Sequence, residues 1–303
     1  MKFDVVLGNP PYQEVKADGS RKSKSTNLWS KFVHQSFKLV KQNGFVALII
    51  PASWLAPKRD AVCELLTSYQ LLSLNVGECK KYFPTVGSAF SYFVVKTTKD
   101  TCNTDIVCEY NSVLFKSQYQ LDKCLPFLPL MITETALSIL TKTVYKQNKK
   151  FGFDCSHQFT YGGGRADKFF TKEYSKTYPY EIFHTPSQTF WSSNPHKEQG
   201  KLKVVIPITT YYEKIAITTA GVTQGTAYVI VNTQKEAETL QSVLLLKLYR
   251  FVANICRWGN WNQERLLGML PSVDLSHSWT DEELYKYFNL TTEEITLIEE
   301  TIK

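Results

Sequence analysis

The chain contains no run of 18 or more apolar residues, so its sequence predicts no membrane-spanning helix and no membrane partner. Its first residues enter a strand pattern directly, without the basic and apolar leader of a signal peptide. The seven cysteines include no C-x-x-C pair, and the five histidines are scattered. These absences argue against a zinc site and a disulfide framework, and they favour a cytoplasmic protein with reduced thiols.

Basic residues outnumber acidic ones, which gives the 303-residue chain a net charge of +7. Residues 276–303 contain seven acidic and two basic side chains, so the first 275 residues carry +12. A basic body of this kind suits a polyanionic partner such as nucleic acid, although many enzymes share it. The hydrophobic content of 43% is that of a soluble globular protein, and the length allows two domains.

The most informative stretch is residues 3–12, Phe-Asp-Val-Val-Leu-Gly-Asn-Pro-Pro-Tyr. Its apolar run ends at Gly8, and a polar amide, two prolines and an aromatic follow at once. This order predicts a buried strand that delivers a stiff polar loop to the carboxyl edge of a sheet, because proline restricts its own φ and the residue before it. Asn-Pro and Pro-Pro also mark ordinary turns, so a chance loop is the alternative.

Asn9-Pro10-Pro11-Tyr12 resembles the catalytic tetrapeptide of DNA amino-methyltransferases, above all the restriction-modification enzymes that methylate N6 of adenine. The resemblance implies that these four residues are catalytic and that S-adenosylmethionine (AdoMet) is the cofactor. It also implies that Asp4, Asn9 and Pro11 contact the cofactor and that double-stranded DNA is the partner. Asparagine at the first position favours adenine, whereas N4 of cytosine, RNA and protein stay open as targets.

The chemistry of amino methylation explains why these residue types would be used. The exocyclic amine of adenine is a poor nucleophile, and two acceptors aimed at its N–H bonds would localise its lone pair. The Asn9 side-chain oxygen and the Pro10 carbonyl can provide them. Flipping the base out of the duplex costs a few kcal/mol, and stacking on an aromatic ring offsets about 1–3 kcal/mol of this. Tyr12 is one predicted stacking residue; Phe83, which precedes Pro84, is the other, unless it is a core anchor.

The residues after the motif have the rhythm of a βαβ unit. Asn27 is predicted to cap a helix that Asn43-Gly44 ends, and the apolar run 45–50 predicts a buried parallel strand. Further patterns predict a helix over 59–71 and strands at 72–76 and 91–95. The predicted fold class is therefore α/β, with a partial doubly wound, Rossmann-like methyltransferase sheet over residues 1–105.

Clear βα alternation is lost beyond residue 105. The family resemblance implies that residues 106–303 are the target-recognition domain, expected here to be mixed α+β with C-terminal helices. The patterns predict helices at 133–150 and 235–256 and strands at 203–207 and 228–231. Dense aromatics between residues 151 and 191 indicate nucleic-acid contacts, a domain core, or both. Thr280 and Thr291 each begin a capping-box sequence.

Two basic or glycine-rich segments are candidate DNA contacts. The first segment, residues 13–27, follows the tetrapeptide, and the alternative interpretation is a solvated surface loop. The second, residues 161–165, contains a glycine triplet, and the alternative interpretation is a structural loop. The predicted DNA-binding residues are Lys16, Arg21, Lys22, Lys24, Gly163, Gly164 and Arg165.

The AdoMet loop that the resemblance leads one to expect, Phe-x-Gly-x-Gly after a strand, is found neither before residue 3 nor within 257–303. Three explanations stay open. The chain is a subunit that needs a protein partner carrying the AdoMet-binding half, a fragment of a longer protein, or a remnant that binds DNA without methylating it. We expect weak AdoMet binding by this chain alone. The pattern of residues 279–295 resembles the closing segment of restriction-associated adenine methyltransferases and predicts a true carboxyl terminus.

Overall fold

The structure is a computed structural model that describes residues 2–13, 27–57, 61–82, 89–160, 170–258, 262 and 264–303. The chain divides into two units, Met1–Leu137 and Ser138–Lys303. The expected functional boundary at residue 105, between a catalytic part and a target-recognition domain, stays a prediction.

The first unit is built on a six-stranded sheet. Its strands are β1 (Phe3–Gly8), β2 (Val40–Pro51), β3 (Gln70–Val76), β4 (Phe90–Lys96), β5 (Thr104–Tyr110) and β6 (Val113–Tyr119). They pair in the order β1-β2-β4-β3-β5-β6. Because β1 is parallel to β2, β3 is parallel to β5, and β4 is antiparallel to both β2 and β3, strands β1, β2, β3 and β5 all run in one direction. Their carboxyl ends therefore meet at one side of the sheet, called here the carboxyl edge.

Helices and short helical turns connect or follow these strands. They are α1 (Leu28–Leu39), a 3₁₀ turn (Ala52–Leu55), α2 (Val62–Thr67), a second 3₁₀ turn (Glu78–Tyr82) and α3 (Glu134–Leu140). The buried face of α1 includes Trp29 and Val33, as its apolar spacing predicts. Asn27 precedes this helix without a side-chain capping bond, so the predicted cap is wrong. The helix also ends earlier than Asn43-Gly44, because Val40 is already extended and begins β2.

The predicted strand at 45–50 is confirmed as the carboxyl-terminal half of β2, and it is parallel to β1. Gly44 has a spatial role here, because a Cβ at this position would lie 2.7 Å from the Asp4 carbonyl oxygen of β1. The prediction that β1 itself is buried is wrong. It is hydrogen-bonded to β2 on one side and to no described strand on the other, and Val5 and Leu7 are 54% and 79% exposed.

The second unit contains two four-stranded sheets, with orders β13-β9-β10-β8 and β12-β11-β14-β7. The strands are β7 (Asp154–Cys155), β8 (Phe170–Thr171), β9 (Tyr180–Thr185), β10 (Gln188–Ser192), β11 (Lys203–Pro207), β12 (Ala216–Thr218), β13 (Gly221–Val222) and β14 (Thr226–Ile230). The helices are α4 (Gln234–Leu244), α5 (Lys247–Ile255), α6 (Glu264–Met269), α7 (Asp281–Tyr287) and α8 (Thr292–Thr301). The strands predicted near 203–207 and 228–231 are therefore present as β11 and β14.

Two helix predictions in this region need correction. The single helix predicted over 235–256 is two helices, because Leu246 is extended with ψ of 153° and the Asp281 carboxylate accepts from the Lys247 backbone N–H at 2.7 Å. The helix predicted over 133–150 is α3 followed by a π-helical turn that ends at Tyr145. The capping boxes at Thr280 and Thr291 are both confirmed.

Buried aromatic and polar groups hold the second unit together. Many of the aromatics from the dense region pack inward, and one cluster combines Phe159, Ile182 and Phe190. Lys203 is fully buried, with its ammonium donating to the carbonyls of Glu198 and Lys201, and burial lowers its pKa to about 8. Burial, followed by the nearby charge of Lys203, lowers the pKa of His196 to about 4.

The fold class is α/β, as predicted: a partly parallel sheet with flanking helices, followed by a unit of mixed sheets and helices. Within the described ranges, every helix is too short or too polar to cross a bilayer. The described cysteines Cys63, Cys102, Cys108, Cys124, Cys155 and Cys256 carry no disulfide.

Candidate active site

The predicted catalytic loop leaves the carboxyl end of β1 and reaches the start of α1. Asn9 is exposed, whereas Pro10 is buried and anchors the loop beside it. The Leu28 backbone N–H donates to the Tyr12 carbonyl at 3.1 Å, which fixes the far end of the tetrapeptide to the first turn of α1. A rigid, exposed amide at the end of a parallel strand stands where ligands bind in open α/β sheets.

A short hydrogen bond orients the side chain of Asn9. The Tyr12 hydroxyl donates to Asn9 Oδ1 at 2.6 Å. In this arrangement the amide oxygen of Asn9 faces the Tyr12 hydroxyl. An amide oxygen has two lone pairs, so the bond to Tyr12 leaves acceptor capacity for a second donor.

The Tyr12 ring packs against the buried ring of Phe90. Its centroid lies 5.4 Å from that of Phe90, at an interplanar angle of 39°, and Phe90 is only 1% exposed. Tyr12 is half-buried, so part of its ring reaches the surface. Phe90 begins β4 at the carboxyl edge, and sequence reasoning did not identify it as a support of the site. The only sequence signal was its position at the start of the strand predicted at 91–95.

A buried polar contact ties the 3₁₀ turn after β2 to β4. Trp54 donates its indole N–H to Ser91 Oγ at 2.7 Å, and both side chains are buried. The Ala52 backbone N–H donates to the Ala89 carbonyl at 2.9 Å. The 3₁₀ turn that begins at Ala52 therefore connects the end of β2 to the start of β4.

A second amide lies on the carboxyl edge, at the end of β3. Asn75 is 1% exposed and donates to Glu78 at 2.6 Å, and Lys81 donates to the same carboxylate at 2.8 Å. Hydrogen bonds from Lys81 and then Asn75 hold the pKa of Glu78 below its usual range. Asn75 Oδ1 has no hydrogen-bond partner among the described residues. Sequence reasoning missed this amide, although Asn75 stands two residues before Gly77 at the end of an apolar strand.

The predicted site residues do not all come together. Asp4 lies at the opposite end of β1 from Asn9, roughly 16 Å away along an extended strand, and its exposed carboxylate pairs with Lys41 at 2.9 Å. Its cofactor contact stays a prediction that this geometry does not favour. The other predicted residues lie outside the described ranges: Lys16, Arg21, Lys22, Lys24, Phe83, Gly163, Gly164 and Arg165.

One protein-family model matches the first part of the chain. The family described as Eco57I restriction-modification methylase matches residues 1–76, a range that holds the Asn9–Tyr12 loop, β1, β2 and β3. The matched range lies wholly within the first unit. This part of the chain is therefore similar to methylases of restriction-modification systems.

Individual similar proteins match the chain over different lengths. A curated Mycoplasma pneumoniae protein, named an uncharacterized adenine-specific methylase, is 40% identical over 65 residues, which are 22% of this chain and 15% of that protein. The match to the structure of the DrdV–DNA complex covers 98% of this chain and 44% of the DrdV chain, with a TM-score of 0.50 and 9% identity. The structure of the type IIL restriction-modification enzyme MmeI with DNA covers 78% and 42%, with a TM-score of 0.48 and 10% identity. The likeness to DrdV is one of fold, and the chain spans less than half the length of each of these proteins.

Proposed function

We propose that this chain is the catalytic and target-recognition part of a site-specific DNA methyltransferase that transfers a methyl group from AdoMet to N6 of a flipped adenine. The observation that carries the proposal is the exposed Asn9 amide, oriented by Tyr12 at the carboxyl edge of the sheet. The family match to residues 1–76 and the adenine-specific methylase relative support the same chemistry.

The residues of the loop would act on the target amine by position and hydrogen bonding. Asn9 Oδ1 accepts one N–H of the adenine amine, and the Pro10 carbonyl accepts the other. Two such acceptors draw the amine out of conjugation with the ring, so that its lone pair is directed towards the methyl donor. The loop is already fixed by Pro10 and by the Tyr12–Leu28 backbone bond, so little reorganisation is needed at the moment of reaction.

Base recognition falls to aromatic and basic residues. The exposed part of the Tyr12 ring stacks on the flipped base, and Phe83 is the second proposed stacking residue. We assign contacts with the DNA backbone to Lys16, Arg21, Lys22, Lys24, Gly163, Gly164 and Arg165. The aromatics that pack inside the second unit, including Phe159 and Phe190, serve its core rather than the DNA.

AdoMet would supply an electrophilic methyl group, but the described residues do not complete a site for it. The loop offers the exposed Asn9 amide, the exposed Pro11 ring and backbone carbonyls. The carboxylate predicted to help, on Asp4, is paired with Lys41 at the other end of β1. We therefore propose that a unit carrying the AdoMet-binding half completes the enzyme, either as a separate protein or as a further segment of this one.

Methylation measured without knowledge of the recognition sequence tests the proposal. The chain is produced together with the polypeptide encoded directly upstream of its Met1 codon, in a bacterial host that makes no methyladenine. Digestion of the host DNA to nucleosides and mass spectrometry are expected to show N6-methyladenine with wild-type protein and none with Asn9→Ala. Methylation that is unchanged in Asn9→Ala, or that is confined to cytosine, contradicts the assignment.

A second candidate function follows from the incomplete cofactor site: a DNA-binding or specificity module that does not methylate. The two functions separate on the same variant. If the chain is an enzyme, Asn9→Ala abolishes methyl transfer but retains duplex binding, which is measured by fluorescence anisotropy. A module binds duplex DNA with or without Asn9 and yields no methyladenine with the upstream polypeptide.

A further inference from the structure

A hydrogen-bonded pair of side chains, Asn75 and Glu78, closes the turn that follows β3. The Asn75 amide donates to one oxygen of the Glu78 carboxylate at 2.6 Å, and Lys81 donates to the other oxygen at 2.8 Å. Asn75 is 1% exposed, whereas the Glu78 side chain is 30% exposed. A carboxylate that accepts at both oxygens is held in one orientation. The turn is therefore fixed at its strand end by Asn75 and at its helical end by Lys81.

The cost of burying Asn75 indicates that this residue does more than fill space. Its amide oxygen, Oδ1, has no hydrogen-bond partner in the part of the chain that the structure describes. A buried polar atom without a partner is unfavourable, and the neighbouring residues of β3, Leu74 and Val76, are apolar and buried. An apolar side chain at position 75 would avoid this cost. The benefit of the amide therefore lies in the turn that it holds.

This turn in its turn holds the start of β4. The Gly77 backbone N–H donates to the Phe90 carbonyl at 3.2 Å. Gly77 has a φ of +90°, and a Cβ at this position would lie 3.1 Å from the Cβ of Glu109 in β5. Both the backbone conformation and the available space favour glycine here, so the direction of its N–H depends on the turn around it. Asn75 and Glu78, which bracket Gly77 in sequence, set that direction.

Phe90 connects the turn after β3 to the candidate catalytic loop. Its ring centroid lies 5.4 Å from that of Tyr12, and the Tyr12 hydroxyl donates to Asn9 at 2.6 Å. The turn and the loop are far apart in sequence, but direct contacts join them at the carboxyl edge: Gly77 to Phe90, Phe90 to Tyr12 and Tyr12 to Asn9. A displacement of about 1 Å in an active site can lower a rate by about 100-fold, so the position of Phe90 matters for chemistry at Asn9.

We infer that Asn75 and Glu78 are positioning residues of the candidate active site. Their hydrogen bond fixes the start of β4, and the Phe90 and Tyr12 rings carry that position to the Asn9 amide. The inference rests on the proposed function, because that function assigns the acceptance of the target amine to Asn9. Asn75 and Glu78 act through these contacts, so their loss should slow methyl transfer without changing the affinity for DNA.

Two substitutions of Glu78 and one of Asn75 test the inference. Glu78→Ala removes the acceptor of the Asn75 amide, whereas Glu78→Gln keeps an acceptor and removes only the charge. Asn75→Val removes the donor and places a strand-forming apolar residue in β3. Glu198→Ala is the matched control, because Glu198 pairs in the same way with the lysine three positions later, Lys201, in the second unit. Circular dichroism and urea unfolding check that every variant folds.

Amide hydrogen exchange gives a readout that does not require activity. The Leu28 backbone N–H donates to the Tyr12 carbonyl, so its exchange reports on the candidate catalytic loop, and the Gly77 N–H reports on the turn. We expect Glu78→Ala and Asn75→Val to speed exchange at both amides at least about threefold, because the turn is no longer closed. Glu78→Gln and the control variant should exchange as wild type.

Methyl transfer is measured with the chain assembled with the polypeptide encoded directly upstream of its Met1 codon. Over a range of duplex concentrations, Glu78→Ala and Asn75→Val should lower kcat at least about threefold at an unchanged KM for DNA. Glu78→Gln should restore most of the wild-type kcat, because the acceptor is present again. A merely structural role would lower the free energy of unfolding and leave the kcat of the folded protein unchanged.

The outcomes separate this inference from the function on which it rests. If wild type yields no methyladenine but Glu78→Ala speeds exchange at Leu28, the link between the turn and the loop is supported and the proposed activity is rejected. If Asn9→Ala abolishes methylation while Glu78→Ala and Asn75→Val keep the wild-type kcat, the inference is overturned and the activity stands. A loss confined to KM for DNA, or an equal loss in the control Glu198→Ala, also overturns the inference.

Discussion

The hydroxyl of Tyr12 has a role that can be separated from that of its ring. In Tyr12→Phe the ring stays in contact with Phe90, but the 2.6 Å hydrogen bond to Asn9 is lost and the amide becomes able to rotate. If Asn9 Oδ1 receives the target amine, the variant should be slower in the methyl-transfer step while its affinity for DNA changes little.

The size of the effect follows from the hydrogen bond. A neutral hydrogen bond contributes about 0.5–1.5 kcal/mol net, and about 1.4 kcal/mol corresponds to a factor of ten in rate. Tyr12→Phe should therefore lower kcat about 2- to 13-fold at an unchanged KM for DNA. Tyr12→Ala also removes the stacking surface, worth about 1–3 kcal/mol per base, and should impair DNA affinity as well. Asn9→Ala removes the acceptor and should lower kcat by about 100-fold or more.

The assay follows the steady-state transfer of a tritiated methyl group over a range of duplex DNA concentrations, by the chain assembled with its AdoMet-binding unit, and single-turnover runs isolate the methyl-transfer step. Urea unfolding of each variant checks that the loss is not one of stability. A wild-type kcat for Tyr12→Phe would refute the role of the hydroxyl as the group that orients Asn9. A Tyr12→Phe variant as slow as Asn9→Ala would also refute the reasoning, because the acceptor itself is still present.

Three further predictions concern stability. Trp54→Phe should lower the free energy of unfolding by about 1–3 kcal/mol in urea titrations, because a buried hydroxyl loses its donor; a change near zero contradicts this. Glu294→Gln keeps a cap acceptor but weakens the 2.8 Å pair with the partly exposed Lys142, and a loss of about 1–3 kcal/mol is expected, smaller in high salt. The folded-state pKa of His196 is about 4, which is below its unfolded value. Its neutral ring therefore contributes to the free energy of unfolding above pH 6.5, and this contribution, up to about 3 kcal/mol, is lost as the pH falls towards 4. His196→Asn should reduce this acid sensitivity and His157→Asn, at an exposed position, should not; equal pH profiles for the two variants would contradict it.

Local sequence features predicted many elements of the fold correctly. The apolar run 45–50 became part of β2 because aromatic, β-branched and aliphatic residues favour strands. Thr280 and Thr291 formed their capping boxes because all the groups involved lie within four residues of one another. Helix α1 formed where its spacing predicted, while its end moved to Leu39 because Val40 pairs with Phe3 in the sheet.

The features that sequence reasoning missed depend on partners distant in the chain. The break between α4 and α5 coincides with a contact from Asp281, which is 34 residues beyond Lys247. Phe90 supports Tyr12 across 78 residues, and Trp54 finds its acceptor on Ser91. No local pattern contains such pairs, because they exist only once the strands have taken their order in the sheet.

The tetrapeptide after an apolar strand was enough, by itself, to predict that Asn9 lies in a proline-stiffened loop at the end of a strand. This was possible because proline and hydrophobic patterning act locally. Only the tertiary structure decided that β1 is an exposed edge. It also decided that the Tyr12 ring packs against Phe90 while its hydroxyl donates to Asn9. Val5 in β1 and Val46 in β2 belong to equally apolar runs, but Val5 is 54% exposed and Val46 is fully buried. The difference arises because burial depends on which strands pair on either side, and pairing is a property of the whole sheet.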